Sequence, residues 1–243
     1  IWKRRLDVIV AFIIFATSLS IRLYFLFRVS DPQNAGDGWY GDTYHHWQIA
    51  YLTREVGLKQ SFLRLWDLKG MEYFWGPLHP IFLILMFTIT GSVSIVNARL
   101  LSLIFGSLTL SLIYLLIAKY WNRKAAFSAT FLAIIHPVAI LNDTSGMLEP
   151  LGLFLLLLGL IILGSFPFLA GVFWALAAFV RAEAWIFGLL LLLLSQRVLK
   201  KSGQLPKVFL GWTIPIVLYM KYLLDYTGNP IYPLWWNYLA NAK

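Results

Sequence analysis

"GPLHPIFLILMFTITG", residues 76 to 91, decides how this chain is arranged. If it crosses a membrane, every later segment changes side; if it does not, they keep their sides. The apolar part, Pro77 to Thr90, is about fourteen residues, or ~21 Å of helix at ~1.5 Å per residue. A bilayer core is ~30 Å thick. Pro77, His79 and Pro80 crowd one end and Gly91 closes the other. This stretch reads as a juxtamembrane helix lying in or dipping into the interface.

A membrane setting follows from composition. The 243 residues are 60% hydrophobic, 17% aromatic and only 13% charged, which no ordinary soluble domain matches. Several stretches run fifteen to twenty-five residues with almost no charge. They are continuous and do not alternate, so helices are expected and a β-barrel is not. There are no cysteines, which removes disulfides, thiolate nucleophiles and thiolate metal sites. The net charge of +9 does not point to nucleic acid, because the basic residues gather in clusters between apolar runs. The first run, from Val8, is too long for a signal-peptide core and lacks a small-residue cleavage site; it is expected to be retained. The sequence starts at Ile1 rather than Met, so a few residues are expected to precede it.

The clusters set the topology. Lys3, Arg4 and Arg5 precede a first helix, roughly Leu6 to Phe27, so the N-terminus is expected in the cytoplasm and residues after Ser30 outside. Lys119, Arg123 and Lys124, then Arg197, Lys200, Lys201 and Lys207, should also be inside. That parity holds if only Ile95 to Ala118 crosses between the outer region and Lys119. A third helix is expected from about Ala125 to Leu141, a fourth from Met147 to Gly164, and a fifth reaching Val180. A sixth should return to about Leu194, and a seventh run from Val208 to Leu224. Fusing the fifth and sixth would bury Arg181 and Glu183 in mid-membrane, so they are read apart. The expectation is an all-α polytopic membrane protein, a single module over 1–243 with about seven transmembrane helices. It has a large extracytoplasmic loop over 30–92 that contains juxtamembrane helices, and an outer aromatic segment over 225–243.

On this topology only Asp7 of the eleven acids lies at the inner side, and all four histidines lie outside or at outer helix ends. Ionisable groups there are costly unless paired or solvated, so one-sided clustering suggests a functional cavity; a solvated rim is the plainer explanation. Asp42 precedes a helical stretch, Thr43 to Val56, and reads first as an N-cap. A capped carboxylate is also held rigidly with one oxygen available, as a general base requires. His45 and His46 follow, and His79 and Glu72 lie in the same outer region. Adjacent histidines face different sides of a helix, so hydrogen bonding to an anionic headgroup is at least as natural as shared metal ligation. Glu149 in "GMLEPLGLF" complements a helix start beside Pro150. Arg181 and Glu183 in "FVRAEAWIF" read as an interfacial ion pair, or with Arg181 as a phosphate clamp. Trp235, Trp236 and Tyr238 read as an aromatic belt.

These pieces, in this order, resemble the polyprenyl-phosphate-dependent membrane glycosyltransferases of the GT-C fold. Those similar in pattern are the protein O-mannosyltransferases and lipid A aminoarabinose transferases. The resemblance covers most of the chain. It rests on "SIRLYFLF" closing the first helix, "GDTYHHWQIAY" opening the outer loop, and "GPLHPIFLILMFTITG". It continues through "NARLLSLIFGSLTLSLIYLL" with "WNRKAA", "LEPLGLFLLLLGLIIL" and "ALAAFVRAEAW". It implies a GT-C-like bundle with Asp42 as catalytic base, Glu149 as a second acid at the same site, and Arg181 in contact with the lipid phosphate. Gly76 stands where many relatives carry Lys or His before the proline, and His79 is the candidate substitute.

The function expected is transfer of a sugar from a polyprenyl-phosphate carrier to an acceptor hydroxyl of a glycan, lipid or protein on the extracytoplasmic face. Arg181, helped by His79 or His46, would face the charge building on the phosphate. The outer acids and histidines permit a divalent ion without requiring one. The expected setting is the inner or plasma membrane, or the endoplasmic reticulum in a eukaryote, with room for a partner subunit. The rival is a non-catalytic membrane subunit or a lipid-headgroup transporter. Transporters tend to carry midplane ionisable groups and internal repeats, and neither is visible here.

Overall fold

The computed structural model describes residues 2–34, 42–57, 75–199 and 203–241, and among them every regular element is helical. Helix α1 (Trp2–Tyr24) runs on through a π-helical turn, Phe25–Val29, and α2 (Asp42–Leu52) through another, Thr53–Gly57. Then come α3 (Leu78–Thr90), α4 (Val96–Tyr120), α5 (Arg123–Ile135), α6 (Pro137–Thr144) and α7 (Glu149–Ile162). The chain continues with α8 (Pro167–Ala178), α9 (Glu183–Leu199), α10 (Leu205–Thr227) and α11 (Tyr232–Asn241).

Three of these are long and apolar enough to cross a membrane: Arg5–Val29, Val96–Tyr120 and Leu205–Thr227. A fourth span results if α5 and α6, bent by 64° at their junction, are taken together. Their outer faces carry large exposed apolar side chains, among them Phe12, Phe131 and Leu218, which suit lipid and not water. The chain is an all-α protein whose three to four candidate spans suggest a multi-pass membrane protein. Helix α3 has 13 residues, ~20 Å of rise, so the short stretch at 77–90 is as short in the fold as on paper. Helices α7, α8 and α9 are also shorter than eighteen residues.

The third helix needs correction. A continuous run from Ala125 to Leu141 was expected, but it breaks at His136, which sits at φ −68°, ψ 121°. Pro137 is the cause: it excludes its predecessor from the helical region and starts α6 afresh. Elsewhere local chemistry sets the ends. Asn122 caps α5 by accepting from the Ala125 amide at 2.8 Å, and Gly228 in the left-handed region closes α10 on the Leu224 carbonyl. The C-terminal aromatic segment is itself a helix, α11, with Tyr232 stacked on Trp236 and Trp235 and Tyr238 open to the surroundings.

The chain divides into two compact units. The first comprises residues 1–48 and 82–157. In it α1 and α4 run antiparallel. Asp7 pairs with Arg123 at 2.6 Å near one end, the Ser111 hydroxyl donates to the Ala11 carbonyl at 2.8 Å midway, and Arg99 reaches the 30–34 turn at the other. Arg123 of the second basic cluster thus lies at the same end as the N-terminal half of α1, as the parity reading requires. Ala11, Ile14, Leu110, Tyr114, Ala126 and Ile134 form an apolar core between these helices.

The second unit comprises residues 49–81 and 158–243. Its centre is the crossing of α8 and α10, where Gly171 lies against the Val208 carbonyl and Gly211 against that of Phe168. Small residues at such a crossing let two backbones touch. Trp174 is fully buried beside it. Helix α9 leaves α8 by a turn that the Trp185 indole closes, donating to the Ala178 carbonyl at 3.1 Å.

Candidate functional site

In the first unit the candidate residues collect where α2 and α7 begin. Asp42 stands exposed in the first turn of α2, where its charge complements the positive end of the helix. Thr43, fully buried, donates from its hydroxyl to the Ser145 carbonyl at 3.0 Å. Gly146 follows at φ +89°, with the Thr43 methyl pressed against the space a Cβ would need. Glu149 then opens α7, half-buried, with its charge again at a helix start. The two acids expected to serve one site therefore lie on adjoining segments. His46 is buried and His45 half-buried, so the neighbours do face different surroundings. The Trp47 indole fixes α2 from another side by donating to the Val93 carbonyl at 2.6 Å.

Behind this surface lies a polar cluster that no motif announced. Arg22, with no exposed surface, ion-pairs with Asp143 through Nη2 at 2.7 Å and donates to it from Nε at the same distance. Arg99, also buried, donates from Nε to the Thr144 carbonyl at 2.6 Å and from Nη2 to the Ser30 hydroxyl at 3.0 Å. Its Nη1 serves the Asp31 and Asn34 carbonyls. The outer polar groups are therefore not all a solvated rim. The signal was a lone arginine inside each of two membrane-length apolar runs, in "SIRLYFLF" and "NARLLSLIF".

In the second unit, His79 and the Arg181–Glu183 pair share a neighbourhood. The Leu78 amide donates to the Phe179 carbonyl at 3.0 Å, which sets the start of α3 beside the turn that carries Arg181. Gly76, at φ +90°, faces the same carbonyl, and a Cβ there would come within 2.4 Å of its oxygen. Neither lysine nor histidine fits that position. Burial pushes the His79 imidazole down from 6.5 to about 4, so at neutral pH it is uncharged. Buried in this way, it brings no positive charge to the neighbourhood. Arg181 grips Glu183 with both arms, Nε to Oε2 at 2.9 Å and Nη2 to Oε1 at 2.8 Å. A phosphate must displace Glu183 to use that edge of the guanidinium.

Glu72 lies outside the described residues. Among the described residues no three His, Asp or Glu side chains gather as a metal-ligand set. No protein-family model, curated protein or solved structure matches the chain. What fold and site define is an all-α membrane protein with acids at two adjoining helix starts.

Proposed function

We propose that the chain is a membrane glycosyltransferase that moves a sugar from a polyprenyl-phosphate carrier to an acceptor hydroxyl on the extracytoplasmic face. The observation that carries this reading is the docking of the first turn of α2, with Asp42, on the turn that opens α7 with Glu149. On this reading the arrangement is GT-C-like with about seven spans; charge parity, not length, counts α7, α8 and α9 as crossing and keeps α3, of similar length, at the interface. The N-terminus and the Arg123 cluster lie in the cytoplasm.

Asp42 accepts the proton of the acceptor hydroxyl as that oxygen bonds to the anomeric carbon. The bond from that carbon to the phosphate oxygen breaks through an oxocarbenium-like transition state, and the lipid phosphate leaves with the bonding electrons. Glu149 holds the acceptor or shares the proton's charge. The resemblance assigns the growing negative charge to Arg181, once Glu183 yields, with His79 as its helper. The closed Arg181–Glu183 pair favours a second reading, a non-catalytic subunit in which that pair is simply structural.

The test is transfer from labelled polyprenyl-phosphate sugars in membranes holding the parent or Asp42→Asn. The expected result is transfer by the parent and a loss of at least a hundredfold in the variant. Undiminished transfer by Asp42→Asn removes Asp42 from the mechanism. A parent that transfers nothing favours the subunit.

A further inference from the structure

Five successive residues, Asp143 to Met147, are held by four residues of the first unit, Arg22, Arg99, Thr43 and Ser102. The Asp143 carboxylate takes Arg22 of α1 and sits where a Cβ at Gly106 of α4 would stand, 2.2 Å from its Cγ. The Thr144 carbonyl accepts from Arg99 of α4, and that of Ser145 from Thr43 of α2. Gly146 packs on the Thr43 methyl and on the Arg99 amide, 3.3 Å from where its Cβ would be. The Met147 carbonyl accepts from the Ser102 hydroxyl of α4. All five residues are buried, although the segment joins two helices and carries a charge. A buried ion pair contributes little net stability but severely penalises any arrangement that parts its members. A pair joined across 121 residues of sequence therefore selects one geometry for what is attached to it.

What is attached is the start of α2 on one side and the start of α7 on the other. The geometry points to Arg22, Asp143 and Arg99 as positioning residues, whose buried cluster fixes the 143–147 turn and through Thr43 sets Asp42 relative to Glu149. This rests on the proposed function for its chemistry but not for its structural content. None of the three side chains needs to touch substrate. Arg22 and Asp143 act through the turn, and Arg99 also through the Ser30, Asp31 and Asn34 groups that follow α1.

Hydrogen exchange read by mass spectrometry tests the positioning directly, on the full chain in micelles. Asp143→Asn is expected to speed exchange of the 42–52 amides tenfold or more while leaving 109–118 and 126–134, in the first unit, within twofold. Thr43→Val, which leaves the ion pair intact, should speed the same 42–52 amides and serves if the first variant does not fold. Exchange at 42–52 unchanged in Thr43→Val, or raised equally across the whole unit in Asp143→Asn, overturns the proposal.

The transfer assay gives the second arm. Both variants should lower kcat tenfold or more with KM for the polyprenyl-phosphate donor within twofold, because the base is misplaced and the donor contacts are not. Loosened 42–52 amides with unchanged kcat would overturn the catalytic link. A parent without transfer activity would refute the functional reading, and the exchange results would still decide the positioning.

Discussion

Gly211→Ala is the sharpest test of how the second unit holds together. An alanine Cβ at 211 would lie 2.0 Å from the Phe168 carbonyl oxygen and 2.9 Å from its carbon, and one at Gly171 would lie 2.1 Å from the Val208 oxygen. Ordinary contact begins at 3.4 Å, so α8 and α10 must part by about 1.4 Å to admit one methyl. The atoms in the way are backbone, which cannot rotate aside. A gap of that size forfeits more than half the dispersion energy of the pairs in contact at the crossing. Overpacking of this kind costs about 1–3 kcal/mol, offset by the roughly 1 kcal/mol by which alanine favours a helix over glycine. Because the obstructing atoms are backbone the upper end of that cost applies, and the expected net loss is about 2 kcal/mol, read as a lower midpoint when mixed micelles are titrated with SDS and tryptophan fluorescence is followed. Gly171→Ala should behave alike. The double variant should cost less than the sum, since one separation relieves both clashes. Gly164→Ala, with nothing within 4 Å of its added Cβ, is the control and should unfold with the parent. If Gly211→Ala also unfolds with the parent, the backbone contact is not what joins these helices.

Two further outcomes follow from the same geometry. His79 is held at about 4 in the fold against 6.5 when unfolded, so only the unfolded chain takes up a proton between those values. Stability should be full above pH 6.5 and fall as pH drops towards 4, by at most about 3 kcal/mol. His79→Phe should flatten that limb of the pH profile, and an unaltered profile would show that His79 is accessible to protons. Because the chain lacks cysteine, Ser92→Cys and Lys124→Cys can each report a side of the membrane to an impermeant maleimide. They should label from opposite faces, Lys124→Cys from that of the N-terminus; labelling of both from one face would mean that α4 does not cross.

The approximate positions of most helices could be read from the sequence because apolar length and local chemistry set them. Apolar runs give length, and Asn122, Pro167, Pro206 and Gly228 give ends through capping, missing amides and left-handed backbone. The one run read as continuous and found broken, at His136, carried a local signal as well: Pro137 inside it. The acids of the candidate site were visible for the same reason, since Asp42 and Glu149 each begin a helix. Charge clustering put the Lys119–Lys124 end with the N-terminal end of α1, and the Asp7–Arg123 pair joins those two.

Tertiary structure alone decided what those ends are fastened to. No periodicity links Arg22 to Asp143, Thr43 to Ser145, or Gly211 to Phe168, because each pairing depends on how separate helices pack. "SIRLYFLF" could warn that a charge sits in lipid without naming its partner. Gly76 shows both levels at once: the sequence marked it as a departure, and the Phe179 carbonyl beside it leaves no room for a Cβ. Local rules act over a few residues and fix helices, whereas burial of charge and close backbone contact act across the packed unit and fix the site.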